Sequence, residues 1–225
     1  MKKVLVALCT VCALAFTACE EGDLSQILSV VTGNAELTVA SADAGTSHQT
    51  NDQIKFSSAV ANAINENNIA CTIIIGANLD LTKVDELTYP YFGVNFTDTV
   101  AATYTFPAVN QQLMTSFIGA NIITKASETN LLVIAESDTS WYLSTGGSAQ
   151  ITEWANFGQT MKGNFNNVKM YYVTKTKLEE VQNLTAVQWL TTNLDDYFKS
   201  MTINGNFNCR RMDIQNIIAN MITEE

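Results

Sequence analysis

The chain has little positive charge, little proline and a single histidine. Its 225 residues include 12 lysines and arginines against 22 aspartates and glutamates, 2 prolines and 1 histidine, His48. The basic residues form no cluster beyond Arg210-Arg211. Because proteins that bind phosphate backbones concentrate positive charge, we do not expect a nucleic-acid partner. The acidity is typical of a soluble, self-repelling surface.

The sequence also lacks the patterns of a catalytic centre. It contains no P-loop, no GxSxG and no GxGxxG, and His48 stands alone in a polar stretch where an exposed side chain is expected. Adjacent carboxylates on a strand point to opposite faces, so neighbouring acidic pairs are expected to be solvated surface. We therefore expect no enzyme, no metal and no cofactor. A glycan-active hydrolase with carboxylates from distant strands stays an alternative. The acidic pairs are Asp85-Glu86, Glu179-Glu180 and Asp195-Asp196.

No apolar run is long enough to remain in a membrane. Residues 4–16 form an uncharged run of 13 residues after Lys2-Lys3, and as a helix they would span about 20 Å. The hydrocarbon core is about 30 Å thick. A basic start before a short apolar run is typical of a secretory signal peptide. Removal of residues 1–18 would take away Lys2 and Lys3 and no acidic residue. The mature chain would then have 22 acidic and 10 basic residues, a net charge of −12.

Phe16-Thr17-Ala18-Cys19 follows this run and resembles the lipobox of bacterial lipoproteins, with Phe16 in place of the commoner leucine. The resemblance implies cleavage between Ala18 and Cys19 and acylation of Cys19. Several acyl chains would then anchor the protein stably to a membrane. An ordinary signal peptide followed by an incidental cysteine is the alternative.

Glu20-Glu21-Gly22-Asp23 come next and resemble the surface-export signal of Bacteroidetes lipoproteins. This resemblance implies an outer-membrane lipoprotein displayed at the cell surface, and a solvated linker facing the periplasm is the alternative. The expected organisation is a signal peptide over 1–18, a lipidated acidic tether over 19–34 and one domain over 35–225.

Short alternating segments separated by turn signals predict an all-β domain: an antiparallel β-sandwich or distorted barrel with one or two short helices. In 201–209 the alternation is unbroken, which favours one strand over a turn at Asn204-Gly205. A change of phase at Asn166-Asn167 predicts a bulge, and Gly146-Gly147 predict a hairpin between 141–145 and 149–154. Further strands are predicted over 35–41, 69–76, 131–135 and 161–172, and residues 92–106 form either a strand pair or one bent strand. The helix candidates are 110–118, 177–190 and a C-terminal 213–222. Residues 56–68 form either a strand and hairpin or a short helix.

Three segments in the last third of the chain resemble short sequence motifs found at the end of small, uncharacterised β-sandwich lipoproteins of Bacteroidetes. They are QITE from Gln150, MKGNF from Met161 and MTINGNF from Met201. The resemblance implies a fold and a location but no activity.

Several residues are candidates for modification or binding. Cys71 and Cys209 fall on the apolar parity of their strands, so they form either a disulfide or two buried free thiols. Asp98-Thr99-Val100 resembles the O-glycosylation acceptor of exported Bacteroidetes proteins, with Thr99 as the acceptor. Tyr142 and Tyr171 lie off the apolar parity and are candidates for stacking on sugars or anchoring a partner.

These observations favour a lipid-anchored cell-envelope lipoprotein with a non-enzymatic binding role. The expected partners are the membrane, through the N-terminal anchor, and a glycan or an envelope protein. A structural or assembly subunit that pairs through its strand edges is the main alternative.

Overall fold

Eleven strands and three short helices are present in the computed structural model, which describes residues 33–66, 69–78, 88–109 and 129–212. The expected all-β fold is confirmed. The strands are β1 (Asn34–Ala42), β2 (Gln53–Phe56), β3 (Ser58–Glu66), β4 (Ile69–Asn78), β5 (Thr88–Phe96), β6 (Thr103–Thr105), β7 (Leu131–Ser137), β8 (Ser140–Ser144), β9 (Ser148–Glu153), β10 (Thr160–Thr174) and β11 (Lys199–Met212). The helices are α1 (Lys175–Gln182), α2 (Ala186–Thr191) and α3 (Leu194–Tyr197).

The two long strands β10 and β11 join all the others into one sheet. They pair with each other from Thr160 to Tyr172. On its other side, β11 pairs first with β1 and then, in parallel, with β3. The other side of β10 pairs with β9 and then with β8. Because β3, β4, β5, β7 and β8 pair in succession, the pairing closes on itself. The parallel pair of β3 and β11 makes the sheet mixed, where an antiparallel one was expected.

The core lies between β5 and the two long strands. The Phe92 ring of β5 meets the Phe165 ring of β10 edge to face, with centroids 6.4 Å apart. Phe165 in turn lies 5.2 Å from Phe207 of β11. Along each strand successive side chains point to opposite faces, and these three rings lie on the faces that share the central cluster. The sheet therefore folds back on itself around an aromatic centre.

The sequence predictions for β10 and β11 are confirmed. β11 runs unbroken through Asn204-Gly205, and a Cβ on Gly205 would lie 2.4 Å from the carbonyl oxygen of Glu36 on β1. Glycine at this position thus allows the close approach of β1. In β10 the register shifts between Phe165 and Val168, and Asn167 has a φ of 47°. This is the predicted bulge.

The structure decides one open alternative and corrects two predictions about neighbouring segments. Residues 56–68 contain the strand β3, not a helix. The predicted hairpin of β8 and β9 is wrong: both strands pair with β10 in succession and not with each other. Likewise β5 and β6 do not pair with each other, because β6 joins β9. In the two corrected pairs, a third strand supplies the hydrogen bonds that the predicted partner would have made.

The three helices cover the outer face of β8 and β10. Leu178 and Val181 of α1 are fully buried there, and they pack in one cluster with Trp141 of β8 and Val173 of β10. One helix over 177–190 was predicted to cover an open edge or end of the sheet, whereas the structure divides this segment between α1 and α2 and places the cover on a face. The described residues contain three short helices, where one or two were expected for the whole domain. The helices predicted over 110–118 and 213–222 lie outside the described residues.

Candidate functional site

The predicted anchor and its cleavage site, Cys19 and Ala18, lie outside the described residues. In the described part of the chain, no helix has the length and apolarity needed to cross a membrane. Lipidation of Cys19 thus stays a prediction of the sequence.

Cys71 and Cys209 are free thiols, so the predicted disulfide is absent. Cys209 packs in the central core, whereas Cys71 lies outside that cluster. The core face of β4 carries Thr72 and Ile74, both fully buried, and Cys71 points to the other face. Cys71 was predicted to face the core with Ile73 and Ile75, but these two side chains lie on the outer face of β4 and are only partly buried. Burial raises the pKa of both thiols.

Tyr142 and Tyr171 are not exposed stacking platforms. Tyr142 is fully buried, and Tyr171 is 6% exposed. Tyr142 belongs to the central core cluster, whereas its neighbours Trp141 and Leu143 lie on the face beneath the helices, so the prediction from alternation assigned Tyr142 to the wrong face. Tyr171 lies beneath the helices, where its hydroxyl donates to Asp195 Oδ1 at 2.7 Å. Burial raises the pKa of Tyr171 to about 12.

Thr99 lies in the bent segment 97–101 that precedes β6, as the sequence predicted. Its backbone N donates to Asp98 Oδ1 at 2.6 Å, and the Asp98 carbonyl accepts from Thr72 Oγ1 at 2.7 Å. Asp98 is exposed and Thr99 is half-buried. O-glycosylation of Thr99 stays a prediction.

Several polar contacts hold the loop between β1 and β2, which we call the His48 loop (residues 43–52). Its start is fastened to β11, since Asp43 Oδ2 accepts from the backbone N of Ser200 at 2.8 Å. Its end is a tight turn in which Asp52 Oδ2 accepts from Gln49 N at 2.7 Å. Asn51, with a φ of 76°, completes this turn. Asparagine tolerates that conformation better than most residues.

Two side chains hold the middle of the His48 loop against the sheet. The Tyr142 hydroxyl accepts from Ser47 N at 3.0 Å and lies 2.9 Å from Ser47 Oγ. His48 Nε2 donates to Glu136 Oε1 of β7 at 2.9 Å. His48 is therefore not the exposed, isolated histidine that the sequence suggested: its side chain is 17% exposed and that of Glu136 is 14% exposed.

The electrostatics of this site favour a charged histidine. The hydrogen bond to Glu136 raises the pKa of His48 against the opposing effect of burial, and the charges of Glu136 and Asp52 add to the increase. Asp52 Oδ2 lies 3.8 Å from Nδ1, on the other side of the ring. Because the two carboxylates face opposite ring nitrogens, they do not converge on one point. Among the described residues no group of His, Cys, Asp and Glu is arranged to hold a metal.

The carboxylates with altered pKa values are exposed and paired with lysine. The hydrogen bond from Lys169 lowers the pKa of Asp195, and that from Lys177 lowers the pKa of Glu180. A general acid needs the opposite shift. These two groups are ordinary surface ion pairs.

A second feature, which the sequence analysis missed, is the turn at residues 156–159, the Phe157 turn. Phe157 is 59% exposed, whereas Trp154 at its base packs partly against the core. The Arg211 guanidinium carbon lies 4.9 Å from the centre of the Trp154 ring. The signal in the sequence is a phenylalanine between two turn formers, Asn156 and Gly158.

No protein-family model matches the chain, and no curated protein or solved structure matches it either.

Proposed function

We propose that this chain is a lipid-anchored lipoprotein of the bacterial cell envelope, displayed on the outer surface, which binds a partner through the His48 loop and catalyses no reaction. The anchoring part rests on the lipobox at Phe16-Thr17-Ala18-Cys19 and the acidic residues after it. The binding part rests on one observation, the fastening of the His48 loop to the sheet.

Fastening matters because ordering a loop on binding costs free energy. The His48 loop is already held at its start by Ser200, in its middle by Tyr142 and Glu136, and at its end by its own turn. Gln49, Thr50 and Asn51 are exposed on this fixed backbone. A well-ordered loop on a rigid sheet is a common place for binding residues.

The chemistry of the exposed side chains favours a neutral, polar partner. Amide and hydroxyl groups donate and accept hydrogen bonds, as sugar hydroxyls and peptide groups do. The net charge of −12 on the mature chain disfavours a polyanion. We therefore propose a neutral glycan or a segment of an envelope protein as the partner.

The assembly alternative finds less support from the sheet. Its terminal strands in the pairing order are β2 and β6, which have four and three residues. Short edges present few free backbone groups to a partner strand. Lys55 and Gln53 of β2 are exposed, and a lysine on an edge discourages strand addition.

Two experiments test the proposal. Intact mass of protein purified from the native envelope should show acylation of the mature chain and none in Cys19→Ser. Protease treatment of intact cells should degrade the protein together with known surface proteins. An unmodified mass contradicts the anchor, and survival while known surface proteins are cleaved contradicts surface display.

Binding is tested with the purified mature chain. Soluble envelope glycans and envelope proteins are screened for those that raise the unfolding temperature of the mature chain. The affinity of each one that does is then measured by titration calorimetry. Replacing Gln49 and Thr50 by alanine should weaken binding at least tenfold without changing stability. Val187→Ser, on exposed α2, is the matched control. Equal affinity of the loop variant and the control contradicts the assignment of the His48 loop.

A further inference from the structure

The Phe157 turn holds a large apolar side chain in solvent on a tightly bonded backbone. Gln159 N donates to Asn156 O at 3.0 Å, and Gly158 has a φ of 79°, which glycine adopts without strain. Gly158 N donates to Arg211 O at 2.9 Å, and Arg211 N donates to Gln159 O at 2.8 Å. The turn is thus fixed to the end of β11, and Phe157 stays exposed although the backbone is ordered.

The side chains beneath Phe157 are amphipathic. Arg211 stacks on Trp154, and its Nη1 donates to the Ala155 carbonyl at 2.8 Å. Tryptophan and arginine each combine an apolar body with a polar end, and both suit the boundary between lipid headgroups and acyl chains. A second apolar side chain, Val100, is 46% exposed. Val100 lies two residues before Ala102, whose carbonyl accepts from Ile151 N of β9.

The chain enters the domain at the same end. Asn34, the first residue of β1, pairs with Asn208, and Arg211 is three residues further along β11. At about 3.3 Å per residue, Arg211 lies about 10 Å from this pair along the strand. Cys19 precedes Gly33 by 14 positions, which span at most about 50 Å. A lipid on Cys19 would keep the Phe157 turn within reach of the bilayer.

We infer that the Phe157 turn is a membrane-contacting surface, which places Phe157 in the interfacial region of a phospholipid bilayer and so orients the tethered domain. The inference rests on the proposed anchoring. The His48 loop follows the far end of β1, nine residues from the entry point, so this orientation directs it away from the membrane. A tethered domain needs only a weak contact to be oriented, because the tether keeps the local concentration high.

The competing surface is on α2, where Val187 and Leu190 are 71% and 85% exposed. These side chains belong to the helical cover that follows the C-terminal end of β10. The Phe157 turn precedes the N-terminal end of the same strand. Of these two described surfaces, the Phe157 turn is the one at the end of the sheet where the chain enters.

The test uses the mature chain, residues 19–225, with Cys19→Ser and an N-terminal histidine tag. The tag attaches the protein to vesicles of phosphatidylethanolamine and phosphatidylglycerol that also contain a nickel-chelating lipid. An environment-sensitive dye is placed at Asn156→Cys and, in a matched control, at Leu190→Cys. Cys71 and Cys209 are 3% and 0% exposed, so the introduced cysteine is labelled selectively. Each labelled protein is measured with and without a headgroup-level quencher in the vesicles.

The fluorescence emission of the dye at position 156 should shift to shorter wavelength and be quenched. The emission of the dye at position 190 should stay that of a dye in water. Phe157→Ala should lower the membrane-contacting fraction about tenfold, because the phenyl burial is lost. The inference is overturned if the dye at 156 stays aqueous, if the dye at 190 enters instead, or if Phe157→Ala changes nothing. The chelated tether replaces the acyl anchor, so these outcomes leave the mass test of Cys19 independent.

Discussion

The pair of His48 and Glu136 should make the free energy of unfolding depend on pH. A single substitution, His48→Gln, should remove this dependence. The pKa of His48 is raised in the folded chain above its unfolded value of about 6.5. A raised folded pKa means that folding favours the protonated form. The stabilisation is therefore complete below about pH 6.5 and is lost as the pH rises through the folded pKa of His48.

The magnitude follows from the geometry. Hydrogen bonds to charged groups contribute about 1.5–3 kcal/mol, and these side chains are 17% and 14% exposed, so partial solvent screening reduces this to about 1–2 kcal/mol. His48→Gln is the informative change. The glutamine amide can still donate to Glu136 but cannot carry charge, so the comparison isolates the charge on the histidine.

The assay is urea unfolding of wild type and His48→Gln at half-unit steps from pH 6 to pH 9. We expect wild type to be more stable by about 1–2 kcal/mol at pH 6, with the difference near zero at pH 9. Glu136→Gln should remove the same pH-dependent part. Lys55→Gln, which breaks the exposed pair with Glu36, serves as the control without a histidine. A difference that stays constant across the range refutes the reasoning.

Three further predictions concern the core and the chain path. A thiol assay on denatured, non-reduced mature chain with Cys19→Ser should find two thiols, because Cys71 and Cys209 are free; finding none refutes the assignment. Gly147→Ala should lower the free energy of unfolding in urea by more than about 1 kcal/mol. Gly147 has a φ of 84°, and a Cβ there would lie 2.2 Å from a backbone oxygen of the β10 bulge. The control is Gly45→Ala, which should cost less because Gly45 has a φ of 93° but no atom nearby. Tyr142→Phe should cost about 1–3 kcal/mol, because Ser47 loses its partner while the ring stays packed; unchanged stability together with unchanged proteolysis of the His48 loop contradicts that role.

The strands could be predicted wherever alternation is long and one face is buried. In 201–209 each second residue is apolar or glycine, and the structure has one strand there, β11. The bulge of β10 could be predicted for the same reason, because a change of phase in the apolar residues requires an extra residue. Both inferences use only neighbours in the sequence, and both are confirmed.

Predictions failed where a distant segment decided the outcome. Gly146-Gly147 favour a hairpin, but the strands on either side, β8 and β9, both pair with β10. Parity placed Tyr171 opposite the core, and that was correct, yet the helices cover that face, so the ring is buried. Alternation tells which residues share a side of a strand. It does not tell which side faces the core or what lies over the other side.

The sequence by itself determined the all-β class, the excess of acidic residues and the course of β11, and it carries the lipobox-like segment on which the proposed anchor rests. Only the tertiary structure brought His48 to Glu136, 88 positions away, and set the Phe157 turn at the end of the sheet where the chain enters. Local patterns follow from backbone geometry and residue propensity, which act over a few residues. Contacts between polar side chains depend on which strands become neighbours, and the packing of the whole chain decides that.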